Sequence, residues 1–282
     1  MIKQSSYDNS STLYLIPTPI GNLNDITFRS LDIIKMVDVI FCEDTRETLK
    51  LLNYFNISKK LVSCHKFNEN SVKEDVLNYL KKGMNVGLVS DQGCPIISDP
   101  GYVCVKYVIE NGFNVVALPG ASALNCSIMT SGIDSTHFMF YGFLDNNKSS
   151  RINELNVLKY CKYPIVFYLS MHDLLNYISD IINVFGDRYF SLSHEISKIH
   201  ESIYHGNLSE FSNFNDEIKG EYVLVVEGFN SNFNFNNLSV KEHVKLYLDD
   251  NNSLMNSFKL VAKDRGVAKS VIYKEYYNEE SD

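Results

Sequence analysis

A chain of 282 residues is long enough for one large or two medium domains. With 45% apolar and 21% charged residues it has neither a disordered nor a fibrous composition. The formal charge of −8 argues against non-specific nucleic-acid binding by the body of the protein, so a local basic surface has to supply any such contact.

In chain order, short β-branched or apolar runs at 13–17, 38–42, 61–64, 86–90 and 115–118 alternate with segments of helical period. That alternation predicts an α/β fold with mostly parallel strands. The helix at 27–36 puts Phe28, Leu31 and Ile34 on one face with Asp25 or Thr27 as cap, and 45–55 does the same with Thr48, Leu49, Leu52 and Phe55. Ser71, with Glu74 at capping-box spacing, opens a third helix that Lys82-Gly83 ends. Beyond 121–131 come strands at 137–141, 165–169, 188–192, 201–205 and 222–227, with helices only near 151–161 and 173–185, which predicts a second, mixed sheet. Residues 229–237, dominated by Asn, Phe and Ser, have no period and begin a linker. Ser253 then caps a helix presenting Leu254, Phe258 and Val261, Arg265-Gly266 breaks it, and 267–277 form another, a small helix–turn–helix-like unit.

The predicted organisation is therefore an N-terminal α/β domain over 12–123, a C-terminal α/β domain over 124–228, a linker over 229–252 and a small helical basic unit over 253–282. In that last unit Lys259, Lys263, Arg265, Lys269 and Lys274 stand against Asp264 alone between 254 and 274. Such a balance suits either a solvated face or a phosphate-backbone clamp. The polar stretch 1–12 predicts no signal peptide, and the longest apolar runs, such as 223–226, fall far short of the ~20 residues of a membrane span. Six cysteines without a C-x-x-C pair read as reduced thiols of a cytoplasmic protein.

Chemistry is expected in the loops after the strands, because an open α/β sheet gathers ligands at the carboxyl ends of its strands. Pro17-Thr18-Pro19-Ile20-Gly21-Asn22-Leu23-Asn24-Asp25-Ile26-Thr27 is held extended by its prolines and lets a ligand approach the main chain at Gly21. Glu43-Asp44-Thr45-Arg46 stands at a strand end just before a helix, where capping explains the acids but needs no arginine. Ser90-Asp91-Gln92-Gly93-Cys94-Pro95-Ile96-Ile97-Ser98-Asp99-Pro100-Gly101 is too long and rigid for a plain connection and predicts a segment wrapped around a ligand. Pro119-Gly120-Ala121-Ser122-Ala123 opens a helix with small residues, suiting an anionic or carboxylate group on exposed amides. The absence of G-x-G-x-x-G and G-x-x-x-x-G-K-[ST] disfavours a Rossmann site and a P-loop. His194, His200 and His205 with Glu195 and Glu201 read as surface or hydrogen-bonded groups rather than ligands, and no metal is predicted. A G-x-S-x-G nucleophile elbow is missing too.

Leu15-Ile16 with the first of these loops, Glu43-Asp44-Thr45-Arg46, the 90–101 loop, Pro119 to Ala123 and Tyr141-Gly142-Phe143-Leu144, in that order, closely resemble the ribosomal RNA small subunit methyltransferase I family of the tetrapyrrole methylase superfamily, over about residues 13–228. The resemblance implies a two-domain tetrapyrrole-methylase-like α/β fold that binds S-adenosylmethionine between its sheets, usually as a homodimer. It also implies methylation of a cytidine ribose 2′-hydroxyl in the decoding region of 16S rRNA. Carried over position by position, Pro19, Gly21 and Asn22, then Asp91, Gly93, Pro95 and Ser98, then Gly120, Ala121, Ser122 and Ala123 line the cofactor side, with 43–46 nearby toward substrate. Two stretches depart from the family. Tyr168-Leu169-Ser170-Met171-His172-Asp173 stands where it typically reads Tyr-Glu-Ser-Pro-His-Arg, and His194-Glu195-Ile196-Ser197-Lys198 where it reads Arg-Glu-Leu-Thr-Lys. Glu195 and Lys198 are carried over as RNA-facing.

Methyl transfer from a sulfonium to oxygen is an in-line displacement in which the protein aligns two bound groups. A ribose hydroxyl is a weak acid, which a general base would assist. Asp44, Asp91 and Glu195 are the carboxylates considered, Asp44 first because Arg46 can orient it and contact phosphate. Two other readings compete. One is a tetrapyrrole methylase, against which Thr-Pro-Ile-Gly-Asn-Leu and Glu-Asp-Thr-Arg speak. The other is a noncatalytic ribosome-assembly factor that keeps the fold, suggested by the departures at Leu169 and Asp173.

Overall fold

The computed structural model describes residues 3–4, 8–214, 218–229, 238–249 and 252–278. Its first part alternates β1 (Thr12–Leu15), α1 (Phe28–Met36), β2 (Val39–Cys42), α2 (Thr45–Tyr54), β3 (Lys60–Ser63), α3 (Glu69–Lys81), β4 (Val86–Val89), α4 (Tyr102–Glu110) and β5 (Asn114–Ala117). The strands pair in the order β3-β2-β4-β1-β5, all parallel. A parallel sheet needs both faces covered, and the near-continuous apolar strands meet that need. Leu13, Phe41 and Val86 pack under α3 and α4, while Ile16, Ile40 and Val116 pack under α1 and α2.

Local signals set most helix starts. Thr27 accepts the Ser30 amide at 3.0 Å and Asp44 the Arg46 amide at 2.8 Å. Helix α3 begins at Glu69, ahead of the expected Ser71, because Asn68 is already tied into the turn: it accepts from the His65 amide (2.8 Å) and donates to the Ser63 carbonyl (3.0 Å). Helix α4 has no counterpart among the expected elements. Its Val103, Val105, Val108 and Ile109 are strand-type residues, and burial of Cys104 and Val108 against α3 overrides that preference.

Helix α5 (Ala123–Thr130) leaves the first sheet and packs on the second. That sheet comprises β6 (Met139–Phe143), β7 (Ile165–Ser170), β8 (Tyr189–His194), β9 (Ser202–Asn207) and β10 (Glu221–Val226), in the order β6-β7-β10-β8-β9. Only the β6–β7 pair is parallel, so the sheet is mixed. Alternation splits its faces: Val166, Val223 and Val225 meet α5, while Phe167, Leu192 and Leu224 meet α6 (Lys148–Leu158) and α7 (Leu174–Phe185).

Three helices follow: α8 (Val240–Asp249), α9 (Leu254–Arg265) and α10 (Lys269–Asn278), closed around Val244, Phe258, Val261 and Ile272. Helix α8 lies inside the stretch expected to be linker; residues 230–237 and 250–251 of that stretch, and 279–282 of the expected basic unit, lie outside the described residues. The α8 start was readable in Ser239-x-x-Glu242, whose amides and side chains bond reciprocally at 2.9 and 3.1 Å, a capping box beside a low-complexity run. Gly266, left-handed at φ 64°, ends α9.

Arg265 was expected to join the basic surface, and it does not. Its Nε donates to His243 Nδ1 (3.1 Å) and its Nη2 to the Leu238 and Ser239 carbonyls (2.7 and 3.0 Å). With Nδ1 accepting, His243 carries its proton on Nε2 and donates to Asp264 (3.2 Å), a carboxylate that also receives the Tyr247 hydroxyl. Burial holds His243 below its ordinary value. The unit sits beside the beginning of β7, where Lys162 faces the Tyr247 ring at 5.6 Å and the Phe229 amide bonds the Cys161 carbonyl (2.6 Å).

Candidate active site

Loops from both sheets converge where the strands of the first end. Thr18 and Gly93 exchange backbone bonds of 2.9 and 3.1 Å, locking the loop after β1 to the loop after β4. Gly120 packs flat on the Pro17 ring, where any side chain would collide, and this brings in the loop after β5. Asp91 accepts the backbone amide of Asp44 at 3.0 Å and so fixes the loop after β2. The 90–101 loop is strained as well as rigid: Ile96 and Ser98 stand at φ 78° and 68°, a region that β-branched residues avoid. From the second sheet, the turn after β8 holds Glu195 and Ser197 at φ 51° and 70°. Ser197 bonds Asp25, and Lys198 crosses against Gly21, so the two sheets are joined at this edge.

Between them lies a cavity of about 700 Å³, within the range of small-molecule sites. Of the residues singled out from the sequence, Asp91, Gly93, Ser98, Ser122, Ala123, Glu195 and Lys198 line it. Pro19, Gly21, Asn22, Pro95, Gly120 and Ala121 do not; Asn22 instead caps the short turn at 23–25, accepting the Asn24 amide at 3.1 Å. Asp44 and Arg46 stand outside the wall too. The Arg46 guanidinium grips both Asp44 carboxylate oxygens, with Nη2 at 2.6 Å and Nε at 3.0 and 3.2 Å. That hydrogen bonding pulls the Asp44 carboxyl down to about 2. A carboxylate so strong an acid, already capping α2, is a poor proton acceptor.

The sequence reading missed Asp99, Tyr168 and Glu221 on the wall. Asp99 had a signal, an acid before Pro100-Gly101 in a loop already marked as ligand-wrapping. Glu221 had none, being the first residue of an ordinary strand. Together Glu43, Asp91, Asp99, Glu195 and Glu221 put five carboxylates on the wall against one cation, Lys198, among the described residues. Lys198 Nζ lies 2.8 Å from Glu195 and 3.5 Å from Glu221. Burial works to raise the Glu195 carboxyl, but the Lys198 hydrogen bond and the Glu221 amide bring it below its ordinary value. Burial, then the charge of neighbouring Asp91, raises Glu43. Burial likewise raises Asp91, and it pushes Asp99 up to about 7 with help from Glu43. His194 lies behind the wall, stacked on Tyr222 and bonded to the Lys219 carbonyl (2.6 Å).

The profile of the Tetrapyrrole (Corrin/Porphyrin) Methylases matches residues 12–212, so the chain belongs to that family. The fold is similar to uroporphyrin-III C-methyl transferase from Thermus thermophilus complexed with S-adenyl homocysteine (TM-score 0.53, 17% identity, 77% of this chain and 97% of that one). It is also similar to diphthine synthase (TM-score 0.58, 14% identity, 77% and 90%). Within the family, the chain is 40% identical to ribosomal RNA small subunit methyltransferase I of Bacillus subtilis over 98% of both chains. It is 38% identical to that of Escherichia coli O157:H7 over 97% and 98%. It belongs to the ribosomal RNA small subunit methyltransferase I family.

Proposed function

We propose that this protein transfers a methyl group from S-adenosylmethionine to small-subunit ribosomal RNA, and that the acceptor is the ribose 2′-hydroxyl of a cytidine in the decoding region of 16S rRNA. The observation that carries the reading is the charge of the inter-sheet wall, five carboxylates to one lysine, in a chain aligned end to end with methyltransferases of that name. Such a wall attracts a sulfonium and an ammonium group and repels phosphate. The donor side suits S-adenosylmethionine. Asp91, Gly93, Ser98, Ser122 and Ala123 offer a wall of small and polar side chains, and Pro19, Gly21, Asn22, Pro95, Gly120 and Ala121 give the loops behind it their shape. When bound, the cofactor supplies an activated methyl carbon on a good leaving group. The protein's own part is alignment and exclusion of water.

RNA has to present a sugar to this acidic opening while its phosphates are held elsewhere. Arg46, with a side chain 84% exposed and oriented by Asp44, is the cation at the rim. Lys259, Lys263, Lys269 and Lys274 extend the contact. The unit carrying them adjoins the start of β7, whereas Tyr168 to Met171 at its other end line the cavity; six residues of strand separate the two by roughly 20 Å. Those lysines therefore serve phosphates several nucleotides from the target. Lys198, already shared by two carboxylates, joins the sheets rather than binding phosphate. A homodimer belongs to the same reading, and Phe138, just before edge strand β6, and Met139, its first residue, are exposed apolar side chains suited to a second copy.

The test is transfer of labelled methyl from S-adenosylmethionine to unmethylated small ribosomal subunits, with a tetrapyrrole precursor as control and mass spectrometry of digested rRNA. Label on the ribose of one cytidine is expected. Label only on the tetrapyrrole, or none in rRNA, would remove the reading.

A further inference from the structure

A proton has to leave the acceptor hydroxyl, and the cavity wall holds five carboxylates. Glu195 and Glu221 share the Lys198 ammonium. Asp91 accepts the Asp44 amide and holds two loops together. Glu43 has its charged neighbours, Asp91, His65, Asp44 and Asp99 itself, all on the first sheet. Asp99 differs in where it stands. The strained turn at Ile96 and Ser98 brings this loop against the second sheet, with Ser98 Oγ laid against Gly142 of β6, and Asp99 follows it on the cavity wall. Its charged and titratable neighbours come from both sides: Glu43, Asp91 and Cys94 from the first sheet, Glu221 and Tyr168 from the second.

We propose that Asp99 is the proton acceptor of the methyl transfer. The inference rests on the 2′-O-methylation reading above. The ribose oxygen uses a lone pair to bond the methyl carbon, and the pair of the breaking carbon–sulfur bond stays on sulfur. The hydroxyl proton passes to an Asp99 carboxylate oxygen, from which solvent takes it after the products leave.

The surroundings suit that task. Burial, then Glu43, pushes the Asp99 carboxyl up to about 7; the Ser90 hydroxyl opposes the shift and Asp91 and Glu221 add to it. Cys94 is raised by burial, and burial pushes Tyr168 up to about 12, so both stay neutral beside it. Lys198 is the one cation on this wall among the described residues, and it is paired. A base poised near the working pH is the most effective kind.

The experiment uses the full chain, unmethylated small ribosomal subunits and labelled S-adenosylmethionine, in single turnovers from pH 5.5 to 9. Wild type should rise with unit slope and level off above about pH 7. Asp99→Asn should lose about 100-fold or more in rate together with the rising limb, while calorimetry shows cofactor affinity within about threefold and the fold still melts cooperatively. Asp99→Glu should recover part of the rate and restore a rising limb. Asp99→Asn turnover within threefold of wild type overturns the assignment. A loss of cofactor affinity matching the loss of rate also overturns it, making Asp99 a ligand of the donor's cation. Should Asp99→Asn fail to fold, Asp99→Glu decides alone: a folded Asp99→Glu enzyme with no acid limb in its profile excludes the role. Wild type that labels RNA on a base removes the underlying reading instead, an outcome told apart by where the methyl lies.

Discussion

The cavity and the C-terminal helical unit both take charge out of water, and they do it in opposite ways. In the helical unit His243, Asp264, Tyr247 and Arg265 satisfy one another and two backbone carbonyls. In the cavity burial raises Glu43, Asp91 and Asp99, and the charge of Asp91 adds to the rise of Glu43 and that of Glu43 and Asp91 to the rise of Asp99. The first arrangement is what packing alone selects, since a buried charge is tolerated when it is paired. The second is retained at the expense of stability, and such clusters of perturbed groups concentrate at functional sites.

If the two regions are as independent as this contrast suggests, breaking one should spare the other. The largest effect is expected from Phe258→Ala. Phe258 is wholly buried among the rings of Tyr273, Tyr276 and Tyr277, and its truncation costs on the order of 3–5 kcal/mol. A core this small cannot absorb that, so hydrogen exchange should lose protection across α8–α10 while calorimetry finds cofactor affinity unchanged. Loss of cofactor binding would mean that the helical unit holds the cavity in shape. Next comes replacement of Lys259, Lys263 and Lys274 by Gln. Each phosphate contact contributes about 0.9 to the slope of log affinity against log salt, so the RNA-binding slope should fall by between about 1 and 3 with cofactor binding untouched. Equal slopes would make the unit a structural cap.

What the sequence revealed differs between the same two regions. Ten strands were legible because β-branched runs at regular spacing have few other uses, and the strand-end loops stood out through their prolines and glycines. Those cues mark where backbone is held, so they pointed to the loops that carry Gly93 and Ser122. Which carboxylate faces the cleft depends on contacts across it. Asp44 looked catalytic beside Arg46, whereas Asp99, five residues beyond Cys94, gains its character from Glu43 and from the second sheet. In the helical unit the basic count misled, because Arg265 turns inward to the Leu238 and Ser239 carbonyls ahead of α8, and α8 itself was hidden by the Asn-rich run despite its capping box.

Asp44 offers the smaller test of catalytic activity. With its carboxylate committed to the α2 cap and Arg46, Asp44→Ala should lower the melting temperature slightly and reduce methyl transfer by no more than about tenfold, short of the 10²–10⁴ that loss of a general base brings. A deeper loss with cofactor affinity intact would restore Asp44 to the chemistry.

The finest distinction lies in how stability follows pH. Asp99 stands at about 7 in the folded chain against an ordinary 3.8, so between those values the folded state binds more protons than the unfolded one. Its contribution to stability therefore falls as pH rises through that window and levels off above it. Asp99→Asn removes the penalty: the variant should match wild type below pH 4, gain on it toward pH 7, and keep the advantage at pH 8 in urea melts. His243 works in the other direction. Held below its ordinary 6.5 by burial, it binds fewer protons folded than unfolded, so its contribution is present above 6.5 and is lost as pH falls below it. Lowering the pH from 7 to 5 should then relieve the cavity and loosen α8–α10 in one molecule, visible as opposite changes in hydrogen exchange once intrinsic rates are divided out. Parallel changes in both regions would mean that a single global opening governs them, and the contrast between crowded and paired charge would have no energetic consequence.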